Sequence, residues 1–167
     1  MSMSEYLRSR EPVRESLERS ENWKKLHELE ASGEFVFHGS PAQDIEELEV
    51  RQPHDWKTGE RVEHGEPSVV ATPYVDIAIF RSLVFMDSTG FGVGDDGANF
   101  RASKKALDAA QGNSGFIYVM PKDRFVPMDG NEDEMDWRSK ESQRPVQVIE
   151  VAFSDLPETI ELIELSK

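Results

Sequence analysis

The 167-residue chain has no cysteine. Disulfides, thiol nucleophiles and cysteine-ligated zinc are therefore excluded, and such a chain suits a reducing compartment, so a cytoplasmic location is expected. Positive charge is scarce as well. With 19 Lys and Arg against 33 Asp and Glu, the net charge is −14 and the pI is near 4.7. Over most of that surface nucleic-acid phosphates and anionic lipid are repelled, and only a local patch could engage nucleic acid. Arg101, Lys104 and Lys105 form one such group, which reads first as the solvated face of a helix. No stretch approaches the roughly twenty apolar residues of a membrane span, and the first thirty residues, dense in charge, hold no apolar signal-like run.

No internal repeat is present either. At this length, 37% hydrophobic residues can build one core but hardly two. The expected organisation is a charged helical segment over residues 1–32, closed by Ser32-Gly33, followed by a single domain over 33–167. Strand signals stand out at Glu34 to Phe37, Ser68 to Ala71, Phe116 to Met120 and Val146 to Phe153. Between them, Asp76 to Met86 and Phe100 to Ala110 have helical spacing, with Thr72 or Asp76 available to cap the first. Strands and helices in this order, without regular βαβ alternation, predict an α+β fold.

Two segments lack any period. Residues 51–67 are punctuated by Pro53, Gly59, Gly65 and Pro67, and a loop of that length is expected to bind something, to fold as a hairpin or to be disordered. His54 and His64 within it, together with Asp55, Glu63 and Glu66, could be read as metal ligands, but their spacing matches no zinc pattern, and no metal site is assigned. Residues 87–97 contain Gly92, Gly94 and Gly97 in a formal Gly-x-Gly-x-x-Gly. That match is discounted, because it follows a helix and carries Asp95 and Asp96, which would repel a pyrophosphate. A linker or a flexible gate is expected there instead.

The chemistry concentrates at His38-Gly39-Ser40, directly behind the apolar run Phe35-Val36-Phe37. An imidazole can donate and accept, a glycine leaves its peptide groups accessible, and a serine adds a rotatable hydroxyl. Downstream come a buried strand ending at Ala71 and a helix carrying Ala78 and Phe80. This order resembles the ADP-ribosyltransferase-like superfamily, in particular its diphtheria-toxin and poly(ADP-ribose) polymerase branch. The likeness runs from His38 to Phe80 and, more loosely, through the C-terminal third. It implies a split mixed or antiparallel sheet core with flanking helices, and NAD as substrate.

What the resemblance assigns is specific. His38 would fix the ribose, the Gly39 backbone and Ser40 hydroxyl would hold the carboxamide, and Phe80 and Tyr74 would wall the nicotinamide. Val69 stands where many members carry a tyrosine. Tyr74 can equally be a turn residue over the helix start, and Phe80 can equally be core. The family's late-strand glutamate has two candidates: Glu141, favoured by its Ser-x-Glu context, and Glu150, inside the last apolar run. That carboxylate would stabilise the oxocarbenium-like transition state as the nicotinamide–ribose bond breaks.

The expected activity is therefore ADP-ribosyl transfer or NAD glycohydrolysis, with the acceptor unidentified. The alternatives are a nucleotide- or partner-binding module that kept the fold without catalysis, and, more remotely, a metal-assisted hydrolase using His38, His54 and His64. His38, Phe80 and either Glu141 or Glu150 are expected to line one concave pocket bordered by residues 51–67.

Overall fold

The computed structural model describes residues 20–51, 54–57, 60–63, 67–84, 89–94 and 97–163. Helix α1 (Glu21–Ser32) begins at Ser20, whose side chain accepts from the Trp23 amide, and ends at Gly33, whose φ of 72° stops the helix in the left-handed region. It buries Leu26 and is tied to the domain where Ser20 Oγ donates to Asp155 and Asn22 donates to the Glu150 carbonyl. The earlier part of the charged N-terminal segment lies outside the described residues.

The central sheet is antiparallel. Strand β1 (Phe35–Ser40) and the last long strand, β10 (Gln147–Ala152), flank β7 (Ser114–Pro121). Both faces of this sheet are covered, which is why β1 and β7 read as continuous apolar runs rather than alternating ones. On one face Phe37, Ile117, Val119, Ile149 and Val151 join the larger core, and on the other Val36, Tyr118 and Met120 join a second core with Leu48, Val69, Ala71, Phe125 and Trp137. Alternation along β1 therefore puts His38 and Ser40 on the Val36 face and Gly39 on the Phe37 face.

Helix α2 (Val75–Leu83) covers the larger-core face across β1 and β7. Seven of its nine residues are buried, and Asp76 and Arg81 are the two that are not. It can lie this close because two glycines face it. A Cβ at Gly39 would be 1.9 Å from the Ala78 carbonyl oxygen, and one at Gly115 would be 2.1 Å from Ser82 Oγ. The helix starts one residue before Asp76, at Tyr74 as the capping position, and neither expected side chain caps it. Its first amide, of Val75, donates instead to the Glu30 carboxylate of α1 at 2.7 Å.

Strand β4 (Val69–Ala71) pairs antiparallel with β9 (Trp137–Ser139), which also pairs with β8 (Val126–Pro127). Paired Phe37 and Thr72 backbones join this small sheet to β1. Of the alternatives open for 51–67, the hairpin is the one the described residues fit: β2 (His54–Lys57) and β3 (Glu60–Glu63) form a two-stranded antiparallel ladder, and His64 lies outside the described residues.

The glycine-rich stretch is strand rather than linker: β5 (Thr89–Gly94) pairs with β6 (Gly97–Ala102). Its alternation of glycines with Phe91 and Val93 is a period of two, and Phe91 lies opposite Phe100. The following helix, α3 (Lys104–Ala110), is accordingly shorter than its composition suggests, starts behind the Ser103 cap and leaves Arg101 on β6. Strand β11 (Glu161–Leu162) closes this sheet parallel to β6. The molecule is α+β, with mostly antiparallel sheets, and none of its described helices is long and apolar enough to cross a membrane.

Candidate functional site

The second-core face of β1 opens into a cleft of about 460 Å³ between β1, β4, the end of α2 and the segment following β1. Its polar lining comes from His38, Ser40, Arg51, Ser68 and Arg81, with Glu47 and Glu49 also contributing, and Ile45, Leu48 and Val69 supply apolar wall.

His38 is fixed in one tautomer. Its Nδ1 lies 2.8 Å from the Val70 carbonyl oxygen, which can only accept, so Nδ1 carries the proton and a neutral ring keeps an Nε2 lone pair. Burial pushes the His38 pKa below its ordinary 6.5, and the charges of Arg81 and Arg51 add to that, against the opposing Val70 bond. The ring is neutral at pH 7 and Nε2 is an acceptor, with no partner among the described residues.

The wall beside it is organised by Tyr118. This fully buried residue meets the His38 ring edge-on at 6.5 Å, donates from its hydroxyl to the Ala42 carbonyl at 2.6 Å and accepts from the Ile45 amide at 3.2 Å. Ser40 Oγ accepts from the Ala42 amide at 3.1 Å, which leaves its proton free to be donated. The segment 40–45 is thus shaped from both ends.

Arg81 enters from the last turn of α2. Its guanidinium carbon lies 5.2 Å from the Phe91 ring centroid, and Phe91 in turn meets Phe80 edge-on at 6.2 Å. Burial pushes its pKa down and Asp136 counteracts this from a distance, but an arginine keeps its charge. No carboxylate of the described residues is within ion-pair distance of it. Arg51 and Ser68 face each other through paired backbones at 2.8 and 3.1 Å, so the two ends of the 51–67 segment meet at the cleft.

The structure brings together some of the residues singled out in the sequence and separates others. His38 and Ser40 share the cleft, whereas Gly39 points at α2 and its missing side chain serves helix packing. Phe80 is fully buried, 5.1 Å from the Phe100 ring, and is not part of the cleft lining. Tyr74 donates from its hydroxyl to the Asp133 carbonyl at 2.7 Å, away from the cleft lining.

Glu141 is exposed in the loop between β9 and β10, where Ser139 Oγ bonds both its amide and its carbonyl. It does not line the cleft, but it lies two residues before Gln143, whose backbone pairs with Leu48 of the cleft wall at 2.8 and 3.0 Å. Glu150 is exposed on β10, because only Ile149 and Val151 of that stretch face the core. The two arginines, Ser68, Glu47 and Glu49 carry no local motif; partners distant in sequence bring them to His38.

No family model, no curated protein and no solved structure matches the chain.

Proposed function

We propose that the His38 cleft binds NAD and that the protein cleaves the nicotinamide–ribose bond, passing the ADP-ribosyl group to an acceptor or to water, on a fold of the ADP-ribosyltransferase-like type. The observation that supports this most is the neutral His38 ring, held by Val70 so that Nε2 is left to accept from a ribose hydroxyl. Ser40, on the same face, has its proton left for a carbonyl such as that of a carboxamide. A cytoplasmic setting suits this reading and a chain free of cysteine.

Bond cleavage requires a carboxylate near the developing cation. Glu47 and Glu49 are in the cleft, and Glu141 lies in the loop beside its wall. Nicotinamide release from NAD, measured on the wild type and on Glu47→Gln, Glu49→Gln and Glu141→Gln, tests the proposal. One of the three is expected to lose activity by roughly 100-fold or more while holding NAD within a few-fold. Wild-type protein that binds NAD and releases no nicotinamide with any acceptor or water would overturn the catalytic reading.

A second reading, a nucleotide-binding module without catalysis, has one observation in its favour. No Phe, Tyr or Trp lines the cleft among the described residues: Val69 stands at the family's tyrosine position, and Phe80 is sealed in the core.

A further inference from the structure

An acidic chain with a charge of −14 has turned two arginines toward one cleft. Desolvating a guanidinium is costly unless an anion compensates it. Arg81 bears that cost without an ion pair to any described carboxylate, and Phe91 engages its charge without using an N–H donor. Ser68, 5% exposed, lines the same cleft with a buried Oγ that has no hydrogen-bond partner among the described residues. A cation without a counterion and a hydroxyl without an acceptor among the described residues, meeting at one cavity, have a common complement in an oxyanion with several acceptor oxygens.

We propose that Arg81, Arg51 and Ser68 form a phosphate subsite of the His38 cleft, and that the group it takes is a pyrophosphate. Arg81 presents a fork of N–H donors from the partly buried end of α2, Arg51 adds a second charge from the exposed side, and Ser68 donates its hydroxyl. Two cations match a bridged pair of phosphoryl groups better than a single one. Glu47 and Glu49 also line the cleft and oppose an anion, but both are exposed, where water and salt screen them far more than the enclosed Arg81. The subsite deepens the NAD reading and rests on it for the identity of the whole ligand, whereas the pyrophosphate contact stands on Arg81, Arg51 and Ser68 alone.

The test is calorimetric titration of the full chain with inorganic pyrophosphate, inorganic phosphate, ADP-ribose, NAD and nicotinamide riboside, which has no phosphate. Pyrophosphate and ADP-ribose are expected to bind, and pyrophosphate to bind more tightly than phosphate. Arg81→Gln should weaken both by tenfold or more, Arg81→Lys by less, and Ser68→Ala by a few-fold, with nicotinamide riboside unaffected by any of them. Should Arg81→Gln fail to fold, Arg51→Gln, at an exposed position, is expected to weaken pyrophosphate several-fold and to steepen no salt dependence.

Equal pyrophosphate affinity in the wild type and the arginine variants, or no binding to the wild type, overturns the subsite. The two proposals fail separately. Arginine-dependent pyrophosphate binding without NAD binding leaves the subsite standing and removes NAD as ligand. NAD binding that is unchanged in both arginine variants does the reverse.

Discussion

The carbonyl oxygen of Ala78 occupies the space that a side chain at Gly39 would need, with an ideal Cβ falling 1.9 Å from it. The backbone of α2 thus touches the backbone of β1, and the middle residue of His38-Gly39-Ser40 sets the height of the helix over the sheet. Gly39→Ala must push α2 outward and disturb a helix with seven buried residues. A loss of about 1–3 kcal/mol or more is expected in urea unfolding. Full stability in that variant would show that α2 does not rest directly on Gly39.

Tyr118 provides a second test, of the cleft wall. Tyr118→Phe keeps the ring against His38 but removes the hydroxyl that bonds Ala42 and Ile45. Two hydrogen bonds at roughly 0.5–1.5 kcal/mol each predict a loss of about 1–3 kcal/mol, with weaker NAD binding as segment 40–45 loosens. Unchanged hydrogen exchange at Ala42 and Ile45 would contradict this role.

His38 and His27 are expected to titrate in opposite directions. With its pKa depressed in the folded state, His38 contributes stability that is present above the ordinary 6.5 and is lost as pH falls through the lower folded value. NMR titration of its ring should give a midpoint below 6.5, and ligand binding should decline only on the acid side. A midpoint above 6.5 would mean that the cleft favours the charged ring, in which Nε2 is no acceptor.

His27, on α1, stacks on Trp23 at 4.0 Å and faces Glu30 at 3.5 Å and Asp76 of α2 at 3.2 Å, the latter an ion-pair contact without an aligned hydrogen bond. Burial alone would lower its pKa, but the two carboxylates outweigh it and raise the value to about 9. Stability from this contact is fully present below 6.5 and is lost as pH rises from there through about 9. After allowance for solvent screening it amounts to roughly 1–2 kcal/mol. Asp76→Asn should bring the His27 midpoint back toward 6.5 and flatten the alkaline loss in urea unfolding; an unchanged midpoint would show that Asp76 does not hold the charge.

The α+β class and most core strands were legible because Phe35-Val36-Phe37 and Phe116 to Met120 are apolar runs that only a twice-covered sheet explains. The glycine-rich strand β5 was harder, since its glycines resemble loop until Phe91 and Val93 are counted at a period of two. His38 and Ser40 stood out as a local motif. Arg81 did not, because its distance from His38 is set by the Gly39 contact with α2, a tertiary fact. Ser68 and Arg51 reach the cleft through a backbone pairing that closes a segment without any period of its own. Phe80 at helical spacing has the same signature as core or as a stacking platform, and only burial separates the two.

Whether NAD occupies this cleft is tested directly by backbone amide shifts of the labelled full chain, followed as NAD is added. Shifts that saturate and cluster at His38, Ser40, Arg51, Ser68 and Arg81, and that vanish in His38→Ala, are the expected result. No shift at millimolar NAD, or shifts centred away from β1 and β4, would contradict it.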